Sequence, residues 1–217
     1  MTDFAHARKT MVDNQLRTSG ITDWRLLAAM GDVPREKFVP EVRQGLAYID
    51  EALTIGTGRK LSAPAPFAKL VQLAEIEHGE RVLDLGCGTG YSAAVLARLA
   101  SHVVAVEADK PLAAHARAAL AELGATNVTL VEGPIASAGK AHGPYDVIIL
   151  EGAVEQLPEG LLAQLKPEGR LVALLAPRGK VAVAHLFARS GKGIASSAAF
   201  DATLPRLQPA LDPGFVF

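Results

Sequence analysis

The feature that most constrains the fold is a glycine-rich segment that reads Val82-Leu83-Asp84-Leu85-Gly86-Cys87-Gly88-Thr89-Gly90-Tyr91. An apolar run typical of a buried strand precedes the three glycines, and a run typical of a helix follows them. Glycines allow a tight turn and a close approach of the backbone to a ligand, and the next helix presents free N–H groups there. This order predicts an α/β fold that binds a ligand at the turn.

Strand and helix patterns alternate after this segment, which favours a mostly parallel, doubly wound sheet with helices on both faces. Late apolar runs around two glycines predict a C-terminal antiparallel hairpin. The predicted strands are Arg81–Leu85, His102–Val106, Val128–Val131, Val147–Leu150, Arg170–Leu175, Lys180–Phe187 and Ile194–Phe200. The predicted helices are Tyr91–Leu99, Lys110–Leu123 and Leu157–Leu165.

The beginning of the chain has a different, helical pattern. Helix formers run from Ala5 to Leu16, and Thr22-Asp23 is typical of a helix start. Val33-Pro34 is expected to end that second helix, because the residue before a proline avoids the helical conformation. No strand pattern is present before residue 50, so this part predicts an N-terminal helical appendage.

A segment rich in glycine and proline, residues 51–66, is expected to be irregular, and a helix is expected from Phe67 to Ile76. Loops between an appendage and a core commonly carry functional residues. We therefore expect the appendage and a substrate loop at residues 1–60, and a cofactor-binding domain at residues 61–217. The tail from Pro205 to Phe217 matches no clear pattern.

Composition limits the class of protein. The 217 residues are 49% hydrophobic with a net charge of −1, which indicates a folded chain without a large nucleic-acid footprint. Cys87 is the single cysteine, so a reducing compartment is favoured. No apolar run approaches the roughly 20 residues that span a bilayer, and the first residues lack a signal-peptide pattern. The six histidines show no metal-ligand spacing. We expect a cytoplasmic protein without metal, membrane or nucleic-acid partners.

The spacing of the glycines distinguishes between ligands. A dinucleotide fingerprint would need a glycine at position 91, where this chain has Tyr91, and no Gly-Lys-Ser/Thr follows as in a phosphate loop. Glu107 closes the next predicted strand, where an acid accepts hydrogen bonds from ribose hydroxyls. Asp84 can orient the loop or meet a cationic end of the ligand. A ribose, a positive charge and no pyrophosphate favour S-adenosylmethionine. Cys87 is interpreted as a small residue that fits the turn rather than as a reactive thiol.

Several segments resemble the protein-L-isoaspartate O-methyltransferase family, from about Met11 to Val183. The segments that carry the resemblance are Val33–Pro40, Ala47-Tyr48, Leu53–Gly56, Leu61–Pro64, the loop Leu83–Tyr91, Tyr145–Ile149 and Gln164–Val172. The resemblance implies a Rossmann-like class I methyltransferase fold that uses S-adenosylmethionine to methylate isoaspartyl carboxylates in damaged proteins. It also implies a catalytic role for Ser62, beside the donor methyl group. The expected cofactor-binding residues are Leu61, Asp84, Gly86, Cys87, Gly88, Gly90, Glu107, Ala108, Gly133 and Pro134.

The chain departs from the family pattern at three places. Arg59-Lys60 stands where the family usually has Gln or Ala and then Thr. Gly133-Pro134-Ile135 replaces a Gly-Asp-Gly motif whose carboxylate lies near the adenine, and Glu132 is the nearest candidate to replace it. Glu151-Gly152-Ala153 replaces a run of small residues rich in Ala. The first and third departures bear on the acceptor, and the second bears on the affinity for the cofactor.

The acceptor chemistry leaves more than one role open for these residues. A carboxylate with a reference pKa near ~3.9 is already ionised, so alignment and exclusion of water matter more than a general base. Ser62 is expected to orient this carboxylate and Arg59 or Lys60 to attract it; the alternatives are a turn residue and two solvated loop charges. A methyltransferase with another acceptor and a non-catalytic cofactor-binding relative also stay open. A serine hydrolase is disfavoured because no Gly-x-Ser-x-Gly is present.

Overall fold

A computed structural model describes residues 3–191 and 193–207. Its strands are β1 Leu53–Gly56, β2 Arg59–Leu61, β3 Arg81–Leu85, β4 His102–Glu107, β5 Val128–Glu132, β6 Tyr145–Val154, β7 Leu165–Leu175, β8 Val183–Ser190 and β9 Gly193–Asp201. Its α-helices are α1 Phe4–Met11, α2 Trp24–Asp32, α3 Pro64–Leu73, α4 Tyr91–Leu96 and α5 Lys110–Glu122. Among these described residues, no helix has the length and apolar character needed to cross a bilayer.

Seven strands form the central sheet in the order β5-β4-β3-β6-β7-β8-β9. The strands from β3 to β7 pair in parallel, and β8 and β9 pair antiparallel at one edge. The predicted Rossmann-like sheet with a C-terminal antiparallel hairpin is therefore confirmed. The chain proceeds from β3 outward through β4 on one side and through β6 on the other. The crevice between the carboxyl ends of β3 and β6 is the switch point where open α/β sheets bind ligands.

The two faces of the sheet are covered differently. On one face Val82, Val103 and Val147 belong to a core cluster that also contains residues of α1 to α5. On the other face Leu83 and Val104 belong to a cluster that is covered by turns and loops. A helix was expected here at Leu157–Leu165, and this prediction is wrong: the segment contains only a 3₁₀ turn at Leu162–Gln164. Pro158 and Gly160, which has φ 76°, interrupt the helical pattern.

The helical N-terminal appendage is present. α1 continues into a π-helical turn at Val12–Leu16, and α2 begins at the predicted place. The Asp23 carboxylate caps α2 by accepting hydrogen bonds from the backbone N–H of Arg25 (2.9 Å) and Leu26 (3.4 Å). α2 ends immediately before Val33-Pro34, as expected from the proline.

Residues 51–66 are more regular than expected. β1 and β2 form an antiparallel hairpin in which Leu53 pairs with Leu61, so the prediction of an irregular loop is wrong. α3 begins at Pro64 instead of Phe67, because a proline in the first turn of a helix loses no intrahelical hydrogen bond. The proposed division at residue 60 falls inside this hairpin and stays a prediction.

Candidate active site

The glycine loop has the tight geometry that its sequence predicts. Gly86 has φ 83° and Gly88 has φ 59°, a left-handed region in which other residues are strained. A Cβ atom on Gly88 would lie 2.9 Å from Ile55 Cδ1, so the loop packs directly against the β1–β2 hairpin. Gly90 has a different role: a Cβ there would lie 3.2 Å from the Cα of Ala116 in α5. Gly90 therefore allows close packing of two helices.

A small cavity of about 20 Å³ lies between the β1–β2 hairpin and the glycine loop. Its lining includes Leu61 and Ser62, which follow one another at the end of the hairpin, together with the loop residues Gly86, Cys87 and Gly88. The structure thus brings together five of the residues that the sequence predicted for the site. Lys60, Glu151 and Arg35 also line this cavity. Ser62 is buried beside the loop, and its catalytic role stays a prediction.

Arg59 forms an ion pair with Glu107, whose carboxylate was expected to bind a ribose. Its Nη1 donates to Glu107 Oε1 (2.7 Å) and its Nη2 donates to Glu107 Oε2 (2.9 Å) and to the carbonyl oxygen of Gly86 (3.1 Å). Both side chains are nearly inaccessible, at 5% and 0% exposure. Burial alternates along β2, so Arg59 and Leu61 are buried whereas Lys60 is exposed. The alternative of two solvated loop charges is therefore wrong for Arg59.

Two further carboxyl groups are buried near the loop. Ser92 Oγ donates to Asp84 Oδ2 (2.7 Å), while Asp84 Oδ1 and Glu151 Oε1 are buried without a hydrogen-bond partner. Burial, reinforced by the charge of Glu107, raises the pKa of Asp84 to about 7 despite the opposing hydrogen bond from Ser92. Burial and the charge of Asp84 raise the pKa of Glu151 well above its ordinary value. The pair therefore favours carrying at least one proton near neutral pH.

Arg35 is a site residue that the sequence analysis did not single out. It is fully buried; its Nε donates to the Ala47 carbonyl oxygen (2.7 Å) and its Nη2 donates to the Ser62 carbonyl oxygen (2.5 Å). Its guanidinium carbon lies 4.8 Å from the centre of the Tyr91 ring. Arg35 Nη1 and Tyr91 Oη have no hydrogen-bond partner. The signal for this residue in the sequence is its place inside the Val33–Pro40 segment, which carries part of the family resemblance.

The remaining predicted residues lie around the loop. Burial raises the pKa of the Cys87 thiol well above its usual range, which disfavours a reactive thiolate. Ala108 follows Glu107 directly, and the Gly133 N–H donates to the Glu107 carbonyl oxygen (3.0 Å). Pro134 is exposed at the turn after β5, and Glu132 is exposed at the end of that strand. Their assignment to the cofactor stays a prediction.

The end of the described chain returns to the glycine loop. Arg206 forms a parallel bridge with Ala153, in which the Ala153 N–H donates to the Pro205 carbonyl oxygen (2.9 Å) and the Leu207 N–H donates to the Ala153 carbonyl oxygen (3.1 Å). Leu207 is buried in the cluster on the loop-covered face. A Cβ atom on Gly86 would lie 2.5 Å from its Cδ2. The sequence pattern gave no structure for the tail from Pro205 to Phe217. In the structure, the chain reaches the site through Leu204–Leu207, and residues 208–217 lie outside the described residues.

Comparison with known proteins identifies relatives over most of the chain. Residues 6–201 match the family model described as protein-L-isoaspartate(D-aspartate) O-methyltransferase. Protein-L-isoaspartate O-methyltransferase 2 of Anaeromyxobacter sp. (strain Fw109-5) is 42% identical over 186 residues, which cover 86% of this chain and 76% of that protein.

Solved structures show the same fold. A protein-L-isoaspartate O-methyltransferase matches with a TM-score of 0.81 and 26% identity, over 94% of this chain and 67% of that one. A protein of this type from Plasmodium falciparum, solved with S-adenosyl-L-homocysteine, matches with a TM-score of 0.79 and 24% identity, over 93% of this chain and 98% of that one.

Proposed function

The chain belongs to the protein-L-isoaspartate O-methyltransferase family, and on that premise we propose that it transfers a methyl group from S-adenosylmethionine to the carboxylate of isoaspartyl residues in damaged proteins. The observation that carries the proposal is the shared cavity, which places Ser62 beside the glycine loop of Gly86 and Gly88.

The residues that would hold the cofactor fit its chemistry. Gly86 and Gly88 supply a turn without side chains, and Glu107 supplies a carboxylate at the end of β4 for ribose hydroxyls. Asp84 Oδ1 is a buried acceptor without a partner, which suits the cationic end of the donor. When bound, S-adenosylmethionine supplies a methyl group activated by a positively charged sulfur.

The chain's own residues bind and orient the acceptor. The Ser62 hydroxyl would donate one hydrogen bond to the isoaspartyl carboxylate, and Lys60, which is exposed at the same cavity, would attract it. Arg35 holds the Ser62 backbone through the Ser62 carbonyl oxygen, so the hydroxyl is presented from a fixed position. The acceptor is already ionised at neutral pH and needs no general base. The site would therefore act by aligning the carboxylate with the methyl group and by excluding water.

The test uses two matched peptides, one isoaspartyl and one aspartyl, with S-adenosylmethionine labelled in its methyl group. We expect label only in the isoaspartyl peptide, and reduced transfer in Ser62→Ala. Ser196→Ala, on the exposed strand β9, is the matched control and should transfer like the unmodified chain. Equal labelling of both peptides, or of neither under conditions where the cofactor binds, would refute the proposal.

A second candidate is methyl transfer to a neutral acceptor such as a hydroxyl. The observation that favours it is Glu151, whose buried Oε1 lacks a partner and which lines the cavity where the family has a small residue. In its ionised form, the Glu151 carboxylate would accept the proton of the attacking hydroxyl. This candidate would be favoured if small hydroxyl compounds became labelled while the isoaspartyl peptide did not. The labelling of the hydroxyl compounds should then be lost in Glu151→Gln.

The proposal carries further expectations with it. Isoaspartyl peptides and proteins are the proposed partners of the site. A cytoplasmic location and the lack of nucleic-acid binding remain predictions, as does the division into residues 1–60 and 61–217.

A further inference from the structure

We propose that this chain closes its own cofactor site with two internal groups, the Arg59 guanidinium and the segment Leu204–Leu207, which S-adenosylmethionine must displace in order to bind. The inference rests on the proposed function and adds a form of regulation to the same site.

The first internal group, Arg59, takes the two acceptor positions of Glu107 that backbone donors leave free. A carboxylate offers about four acceptor positions. Glu107 Oε1 accepts from Arg59 Nη1 (2.7 Å) and the Asp109 N–H (3.0 Å), and Oε2 accepts from Arg59 Nη2 (2.9 Å) and the Gly88 N–H (2.7 Å). A ribose hydroxyl needs one of these positions. The two backbone donors belong to the loops that build the site, so Arg59 is the group that must leave.

The second internal group fills the crevice at the switch point. Leu207 is 1% exposed and lies between Gly86, which follows β3, and Gly152, near the end of β6. A Cβ atom would lie 2.5 Å from Leu207 Cδ2 if it were built on Gly86, and 2.7 Å from Leu207 Cγ if it were built on Gly152. Ligands of open α/β sheets bind at this crevice, and here a side chain of the protein occupies it.

The docking of Leu207 requires a glycine at position 152. A Cβ atom on Gly152 would also lie 2.6 Å from the carbonyl oxygen of Pro205, closer than real contacts allow. The resemblance described above places a run rich in Ala here, and an alanine would exclude the segment. The family also usually has Gln or Ala where this chain has Arg59. Two departures from the family pattern therefore contribute to the same closure.

The segment is attached by non-covalent contacts. These are two backbone hydrogen bonds to Ala153, the burial of Leu204 and Leu207, and contacts of Arg206, whose Nη1 lies 3.3 Å from Glu155 Oε1 and whose Nη2 lies 3.3 Å from the Ala176 carbonyl oxygen. Arg206 is 43% exposed, and ion pairs of this kind contribute little. A ligand that binds only the open form has an apparent Kd raised by the inverse of the open fraction.

Calorimetric binding of S-adenosyl-L-homocysteine to full-length variants tests the closure. Arg59→Gln frees Glu107 and introduces a residue usual for the family, whereas Gly152→Ala expels the segment by one methyl group. We expect each to lower the Kd by about tenfold or more, a typical size for coupled binding equilibria. The controls are Arg117→Gln, an exposed arginine of α5, and Gly79→Ala, where a Cβ would meet nothing within 4 Å.

Hydrogen exchange of the unmodified chain supplies a readout independent of activity. Bound ligands normally protect amides near their site. Here S-adenosyl-L-homocysteine should accelerate exchange at the amides of Leu207 and Ala153, because both are hydrogen-bonded only while the segment is docked.

The outcomes separate this proposal from the proposed function. A Kd that is the same in the unmodified chain, Arg59→Gln and Gly152→Ala overturns the closure, whether or not isoaspartyl peptides are methylated. Protection of the Leu207 amide by the ligand overturns it as well. Tighter binding in the variants supports the closure, and the peptide assay on those variants then decides the proposed function separately. If Arg59→Gln fails to fold, Gly152→Ala and the exchange measurement still decide.

Discussion

Arg59 and Glu107 lie 48 residues apart in the chain and face each other through two parallel hydrogen bonds out of contact with solvent. The guanidinium comes from the β1–β2 hairpin, and the carboxylate ends β4. This pair ties the hairpin to the sheet at the edge where the glycine loop lies. Each charge is compensated mainly by the other, so the loss of one leaves the other buried.

Glu107→Gln is expected to destabilise the folded chain by about 3–5 kcal/mol, since it leaves the Arg59 cation buried without its counter-charge. Urea unfolding measures the change. Glu132→Gln, at the paired position on β5 but exposed, is the control and should stay within about 0.5 kcal/mol of the unmodified chain. Equal stability of the two variants would contradict the buried pair.

The free energy of unfolding should fall as the pH rises because of Asp84. In the unfolded chain this carboxyl ionises near its reference value of about 3.9, whereas burial raises its pKa to about 7 in the folded chain. Between these values only the unfolded state loses the proton, so stability present below pH ~4 is lost progressively up to pH ~7. Glu151 acts in the same direction.

Asp84→Asn removes this contribution, so its stability should vary less over that window than the stability of the unmodified chain. Denaturant unfolding at a series of pH values measures both curves. Asp201→Asn, at an exposed position of β9, should leave the curve unchanged. Parallel curves for the unmodified chain and Asp84→Asn would show that Asp84 is ionised in the folded state.

Arg35→Lys keeps the charge but loses the planar contacts of the guanidinium. The carbonyl oxygens of Ala47 and Ser62 each accept from Arg35, and a buried acceptor without a donor costs about 1–3 kcal/mol. We expect lower stability and a raised KM for the isoaspartyl peptide, because the Ser62 backbone is no longer held. Arg117→Lys should change neither value. A KM equal to that of the unmodified chain would show that Arg35 serves stability alone.

Thr89 connects the glycine loop to the Val33–Pro40 segment. Its hydroxyl donates to the carbonyl oxygen of Phe38 (2.6 Å), and both groups are buried. Thr89→Val keeps the shape and removes the donor, at an expected cost of about 1–3 kcal/mol. Thermal or urea unfolding should show no comparable loss for Thr126→Val, which is exposed in the turn before β5.

The parts predicted correctly from sequence depend on neighbours along the chain. β3 begins and ends where its apolar run does, and Glu107 ends β4 as its place after the glycines indicated. The helix expected at Leu157–Leu165 is absent for a local reason too, since Pro158 and Gly160 interrupt it. Burial of Arg59 could not be predicted, because it depends on the alternation of side chains along β2, a strand that the glycines and prolines of residues 51–66 concealed.

Contacts between distant parts of the chain were beyond the sequence analysis. The pairing of Arg59 with Glu107 requires the hairpin to fold over the sheet, and no local pattern encodes that approach. The docking of Leu207 beside Gly86 and Gly152 depends on a segment without periodicity, whose place is set by the shape of the crevice. Arg35 was hidden for the same reason, since its partners Ala47 and Ser62 become neighbours only after folding.

The contact between Gly152 and Leu207 makes the order of two mutations matter. With an alanine at position 152 the segment cannot dock, so a leucine at position 207 brings no benefit there. Once glycine is present and the leucine has docked, a return to alanine removes a buried side chain from its place. Positions 152 and 207 are therefore expected to coevolve. Substituting only one of them into a relative should not produce the closed site there.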